Sequence, residues 1–219
     1  MTDFEHFTQD YFDALQAAAR RLDPKALAAT LDVLRGVAAR GATLWIAGNG
    51  GSAALADHTA CEIGKGTHVE PHPPIRAVSL AAKGPMLTAI ANDVAYDQVF
   101  RRQLEIHLRE GDALLCISTS GRSPNVLEAC RYARKREAPT VAFVGYDGGE
   151  LARLADHVVH VPVDNCGISE DVLQSVMHVL TLSSGDVENT GRAAERCDLP
   201  GCDPFFEPFR VGTMVISPV

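Results

Sequence analysis

Five short apolar, β-branched runs recur through the middle of the chain: TLWIAG at 43–48, IRAVSL at 75–80, ALLCIS at 113–118, TVAFVG at 140–145 and HVVHVPV at 157–163. Most are apolar on successive residues instead of every second one. Helical patterns separate or follow them near 53–64, 94–109, 124–137, 149–155 and 168–184. A strand covered on both faces needs a continuous apolar pattern, and a parallel strand needs a long crossover to reach its neighbour. The alternation therefore predicts an α/β fold, a three-layer α/β/α sandwich around a five-stranded parallel sheet. Two amphipathic helices are predicted ahead of the sheet, over residues 3–40, the second starting at Asp23-Pro24 and ending at a glycine. One such domain, 1–187, accounts for most of the 219 residues, and an irregular tail, 188–219, follows it. The tail is rich in Pro, Gly and charge, and Phe205, Phe206 and Phe209 give it a means of docking.

Composition narrows the partners. The net charge of −8 disfavours nucleic acid and anionic membrane, both of which attract Lys/Arg-rich faces. No run reaches the ~20 apolar residues of a membrane span, and the acidic start MTDFEHFTQD lacks the basic and apolar regions of a signal peptide, so a cytoplasmic protein is expected. Six cysteines, at 61, 116, 130, 166, 197 and 202, are spread out and read as reduced. The close pair in CDLPGC has no second Cys/His pair with which to form a zinc site.

Two strand-to-helix junctions carry ligand chemistry. In parallel sheets, ligands collect beyond the carboxyl ends of the strands, where the amides of the following helices point outward. The first junction, IAGNGGS, brings Asn49, Gly50, Gly51 and Ser52 to that edge. The second, CISTSGRSPNV, brings Ser118, Thr119, Ser120 and Ser123, with Pro124 suited to the first helical position and Ser123 to the cap. Hydroxyls beside free amides make a phosphate cradle. Neither loop ends in the Lys-Ser/Thr of a nucleotide P-loop, and GNGGS lacks the dinucleotide spacing, so a phosphate is expected and a nucleotide is not. Two helix faces complete the picture. His58 and Glu62 are four residues apart, and Glu170, Gln174 and His178 form a column on an otherwise apolar helix. Carboxylate and imidazole can ligate zinc or move protons near neutral pH.

In order along the chain, GNGGSAALADHTACE, AIANDVAYDQVF, GDALLCISTSGRSPNV, GYDGGELARLADHVVHVP and a helix containing VMHVL resemble the sedoheptulose 7-phosphate isomerases, or phosphoheptose isomerases, of the SIS (sugar isomerase) domain superfamily. The resemblance covers roughly residues 1–184. It implies a SIS-type sandwich, a homotetramer with sites where subunits meet, and isomerisation of a phosphosugar. Substrate-binding positions then fall on Asn49, Gly50, Gly51, Asn92, Asp93, Ser118, Thr119, Ser120 and Ser123. Zinc-binding positions fall on His58, Glu62 and His178, and Glu62 and His178 also form the acid/base pair. The family usually has glutamine two turns before the last histidine; Glu170 stands there, as a further candidate for metal or substrate. The family also tends to have Gly-Arg or Gly-Lys after the first site helix, where this chain reads IGKG with Lys65. Three other readings share this fold: an enzyme for another phosphosugar, a non-catalytic regulator of the replication-initiator-associating type, and a sugar-phosphate sensor.

Overall fold

Local chemistry opens the first two helices as the sequence requires. Thr2 and Glu5 form a capping box at the start of α1 (Asp3–Arg20), and the Asp23 carboxylate accepts from the Lys25 amide at 2.9 Å ahead of α2 (Pro24–Ala39). The computed structural model describes residues 2–68 and 74–185. The predicted tail and its three phenylalanines, Cys197 and Cys202 lie outside the described residues.

The remaining elements are β1 (Thr43–Gly48), α3 (Gly51–Gly66), β2 (Arg76–Ser79), α4 (Gly84–Asp93), a 3₁₀ turn at Tyr96–Gln98, α5 (Val99–His107), β3 (Ala113–Ser118), α6 (Pro124–Lys135), β4 (Thr140–Val144), α7 (Leu151–Leu154), β5 (His157–His160) and α8 (Cys166–Gly185). The five strands form one parallel sheet in the order β2-β1-β3-β4-β5. β1, β3 and β4 are buried at every position, which explains their continuous apolar runs. Alternate residues feed two cores. Ile46, Leu115 and Phe143 pack with α1, α2, α3 and α8, while Trp45, Cys116 and Ala142 pack with α4, α5, α6 and α7. The expected three layers are therefore present.

The strand order reverses between β1 and β3, so the loops leaving those two strands flank the crevice in which such sheets bind ligands. The Asp112 carboxylate secures the opposite edge: it accepts from the Thr43 amide at 2.8 Å, the Trp45 indole at 2.9 Å and the Arg109 amide at 2.9 Å.

One expectation needs correction. A helix was expected over 94–109, with none between it and the strand run at 75–80; the structure places α4 at 84–93 and resumes with α5 at Val99. Pro85 fits the first turn of α4, where its missing N–H costs nothing, although Gly-Pro reads locally as a loop. Asn92 and Asp93 end α4, and Val94 leaves helical geometry at φ −124°, ψ −81°.

His107, at the end of α5, stacks on Trp45 with ring centroids 5.6 Å apart and lies 3.3 Å from Lys83 Nζ. Burial first, then the Lys83 and Arg109 charges, hold its pKa below the ordinary 6.5. The folded state thus resists a proton that the unfolded chain accepts. The associated stability is complete above the unfolded value and falls as pH drops from there through the folded value. Denaturant midpoints compared between about pH 7.5 and about pH 5.5 should fall less in His107→Gln than in the wild type.

Candidate active site

α3 and α8 run side by side in the same direction, which pairs their side chains end to end. Near the start, the Glu170 carboxylate lies across Gly51, where an added Cβ would come within 2.4 Å of it. Further along, Gln174 Nε2 is 3.2 Å from His58 Nδ1. Near the far end, Thr181 packs against Gly66. His58 also has Nε2 3.8 Å from Glu62 Oε1, and its ring stands edge-on to His178 with centroids 5.2 Å apart. Glu62 and His178, predicted from separate helices, therefore flank one imidazole. All three side chains are half-buried.

Two imidazoles and a carboxylate match zinc in donor type. Glu170, the expected fourth ligand, stands apart: it precedes His178 by two turns, about 12 Å of helix, and faces Gly51. No hydrogen bond reaches its carboxylate from the described residues. Among the described residues, no group of three or more His, Cys, Asp or Glu side chains is gathered closely enough to hold a metal ion. His58, Glu62 and His178 share one location and fit by chemistry, without forming a closed cage.

The second junction follows β3. Ser118 Oγ and Ser123 Oγ are 3.3 Å apart, and Thr119 Oγ1 is 3.5 Å from Cys166 Sγ in the first turn of α8. Ser123 is the cap residue of α6, as expected, but its hydroxyl turns to Ser118 and makes no capping bond. The loop is dovetailed with the one after β4: Gly145 N–H donates to the Thr119 carbonyl at 2.8 Å, and Leu151 N–H to that of Gly121 at 2.9 Å. Arg122 donates to the Ser120 carbonyl at 3.0 Å and to Asp147 Oδ1 at 2.9 Å. The guanidinium, helped by the Gly149 amide, holds the Asp147 carboxyl down at about 2. Arg122, though one residue from Ser123, is thus occupied with shaping the loop.

At the first junction, Asn49 exchanges two amide hydrogen bonds with buried Asn125, each 2.8 Å, and its Oδ1 also accepts from the Tyr96 hydroxyl at 3.1 Å. Gly50 is exposed at the entry to α3, and Ser52 is buried in its first turn. Asn92 and Asp93 are exposed at the end of α4 and joined by a 2.7 Å bond. Lys65 is exposed in the last turn of α3. Sequence reasoning missed Asn125, Tyr96 and Asp147, and assigned no partner to Gln174.

A cleft of about 670 Å³ opens beside the serine loop, lined by Thr119, Ser120, Arg122, Tyr146, Asp147, Pro162, Val163 and Asp164. Its lining includes none of His58, Glu62, Gln174 or His178. Within one chain, the hydroxyl loop and the acid/base helices therefore do not share this cavity.

The family model described as SIS domain matches residues 8–145. The phosphoheptose isomerase of Bradyrhizobium sp. is 41% identical over 165 residues, which cover 75% of this chain and 79% of that protein. The chain belongs to the phosphoheptose isomerase family of SIS domain proteins. A Mycobacterium bovis phosphoheptose isomerase is 46% identical over 127 residues, 58% of this chain and 64% of the relative. A solved phosphoheptose isomerase from Neisseria gonorrhoeae superposes with a TM-score of 0.75 at 30% identity, covering 84% of this chain and 96% of that one. More distant solved structures share the fold alone, among them the Vibrio vulnificus NanR protein complexed with ManNAc-6P, at a TM-score of 0.58 and 18% identity, covering 84% of this chain and 62% of that one. The resemblance read from the motifs and the five-stranded sandwich it implied are both borne out in this phosphoheptose isomerase family member.

Proposed function

We propose that the chain is an aldose–ketose isomerase that converts sedoheptulose 7-phosphate to a D-glycero-heptose 7-phosphate through an enediol. The observation that carries this reading is the convergence of Glu62 and His178 on either side of His58. A carboxylate and an imidazole at one point can remove a proton from the carbon beside a carbonyl and return one across the enediol, each such group contributing about 10²–10⁴ in rate. The phosphoheptose isomerases named above support a heptose phosphate as the substrate.

The serine loop anchors the phosphate. Ser118, Thr119, Ser120 and Ser123 present hydroxyls next to the amides at the start of α6, and that binding energy positions the reacting end of the sugar. Asn49, held by Asn125 and Tyr96, shapes the neighbouring turn, with Gly50, Gly51 and Ser52 beside it and Asn92 and Asp93 at the rim. Glu170, free of hydrogen bonds from the described residues, accepts from a sugar hydroxyl. Zinc held by His58, Glu62 and His178 would supply Lewis-acid polarisation of the carbonyl.

A homotetramer fits the geometry. Thr119 touches Cys166, and twelve residues of α8, about 18 Å of rise, separate Cys166 from His178. A seven-carbon sugar phosphate spans only about 10 Å, from carbon–carbon steps of about 1.5 Å laid in zigzag. A serine loop and an acid/base pair from different copies of the chain close that gap. Phe4, Phe7 and Phe12, at 76%, 63% and 59% exposure along α1, offer apolar surface for such an assembly. No helix among the described residues is long and apolar enough to cross a membrane. Cys61 and Cys166 are exposed free thiols, in keeping with a reducing cytoplasm.

Both members of the acid/base pair sit beside His58, which favours turnover over a sensor or a regulator. Incubation of the purified protein with sedoheptulose 7-phosphate, with and without a chelator, tests the reading: aldose accumulates if it holds, and the chelator arm reports the metal. A protein that binds this ketose without converting it, metal-replete or not, would be a sensor.

A further inference from the structure

At the carboxyl end of β1, a small amide network fixes which atom of Asn49 faces a ligand. Val126 N–H donates to Asn125 Oδ1 at 3.0 Å, and because a backbone N–H always donates, the oxygen of that buried amide must lie on this side. The atom of Asn49 that meets the same oxygen at 2.8 Å is then Nδ2, and Asn125 Nδ2 returns a bond to Asn49 Oδ1, also at 2.8 Å. The Tyr96 hydroxyl donates to Asn49 Oδ1 at 3.1 Å. Turning both amides over would keep their mutual bonds but set an NH₂ group against Val126 N–H.

The atoms of Asn49 can now be counted. Its Oδ1 has two lone pairs, and both are taken, by Asn125 and Tyr96. Its Nδ2 has two hydrogens; one goes to Asn125, and the other has no partner among the described residues. Asn49 therefore offers a ligand a donor and no acceptor, and its complement is an oxygen without a proton. The surroundings point to which oxygen. Gly48 pairs with Ile117, so Asn49 leaves the sheet beside Ser118, and Asn125 follows Ser123 by two residues in the first turn of α6. We propose that Asn125 is a positioning residue of the phosphate site: with Tyr96 it holds the Asn49 amide so that the remaining N–H donates to a phosphate oxygen. The phosphosugar comes from the isomerase reading; the orientation of the amide does not depend on it.

Inorganic phosphate, titrated calorimetrically into the full-length protein, tests this in a double-mutant cycle. Asn49→Ala should weaken phosphate binding roughly 10-fold, the scale of one hydrogen bond to a charged group. Asn125→Ala keeps Asn49 but lets its amide turn, and should lose about 3- to 10-fold. The double variant should lose no more than Asn49→Ala alone, because Asn125 acts through Asn49; a merely structural role for Asn125 would add its own loss. In Asn125→Ala, KM for sedoheptulose 7-phosphate should rise by a similar factor, more than kcat falls. Phosphate binding unchanged by Asn49→Ala, additive losses in the double variant, or a wild type that binds no phosphate would each overturn the proposal. If Asn125→Ala fails to fold, Tyr96→Phe, at a position that is 57% exposed, takes its place in the cycle, with a smaller loss that again vanishes beside Asn49→Ala. If the wild type binds phosphate with these losses yet does not turn over sedoheptulose 7-phosphate, the isomerase reading fails and the role of Asn125 stands.

Discussion

Glu62→Gln and His178→Gln should each remain folded and lose at least about 10²-fold in turnover of sedoheptulose 7-phosphate, the scale of one acid/base group. Glutamine nearly matches glutamate in volume, so the first change removes proton-accepting capacity and little else. Glu62 is half-buried, and among the described residues its ionisable partner is His58, at 3.8 Å. An exposed or half-exposed pair of this kind contributes little to stability, so melting temperature and oligomeric state should stay near those of the wild type. His178 is also half-buried, and glutamine there keeps a polar side chain on α8 without an ionisable ring. The two variants should lose kcat more than they gain in KM, because both groups act on the reacting carbons and not on the phosphate. Near-normal turnover in either one would remove that residue from the mechanism.

The second large effect concerns stability. Gly121→Ala should destabilise the fold by roughly 2–5 kcal/mol, combining a left-handed backbone with forced overpacking. Gly121 has φ +62°, and a Cβ there would lie 2.0 Å from the Gly148 carbonyl oxygen. That obstacle is backbone, held by the Leu151 amide bond to the Gly121 carbonyl and by the Arg122–Asp147 ion pair, so it cannot swing aside as a side chain could. The serine loop would have to part from the loop after β4, and phosphate binding should weaken along with the melting temperature. Denaturant unfolding, paired with a sulfate or phosphate titration, measures both. A wild-type midpoint would mean that the two loops are not interlocked.

Much of this was legible from residue order, and for identifiable reasons. Strands buried on both faces must be apolar at every position, so β1, β3 and β4 stand out in any reading of the chain. Helical spacing alone brings His58 beside Glu62 and aligns Glu170, Gln174 and His178. What it lacks is the register between α3 and α8, set by tertiary packing. That register gives Gln174 to His58 and leaves Glu170 at Gly51, although the position of Glu170 suggested a place among the metal ligands. α4 was missed because Gly84-Pro85 and Asn92-Asp93 are loop-like locally and become helix ends only in context. The Ser123 hydroxyl was expected to cap α6; Ser118, five residues earlier and at the end of a strand, is its actual partner. Arg122 and Asp147 lie 25 residues apart with no shared periodicity, so nothing short of the folded sheet brings them together.

The central claim is proton transfer between two different side chains through an enediol. Conversion of sedoheptulose 7-phosphate in D₂O, followed by mass spectrometry and NMR of the aldose, tests it most directly. The account predicts an aldose that carries deuterium at C2, because the proton delivered there comes from a group that exchanges with solvent. An aldose formed at full rate with no deuterium at C2 would contradict it, and so would the absence of any aldose from a folded, metal-replete assembly.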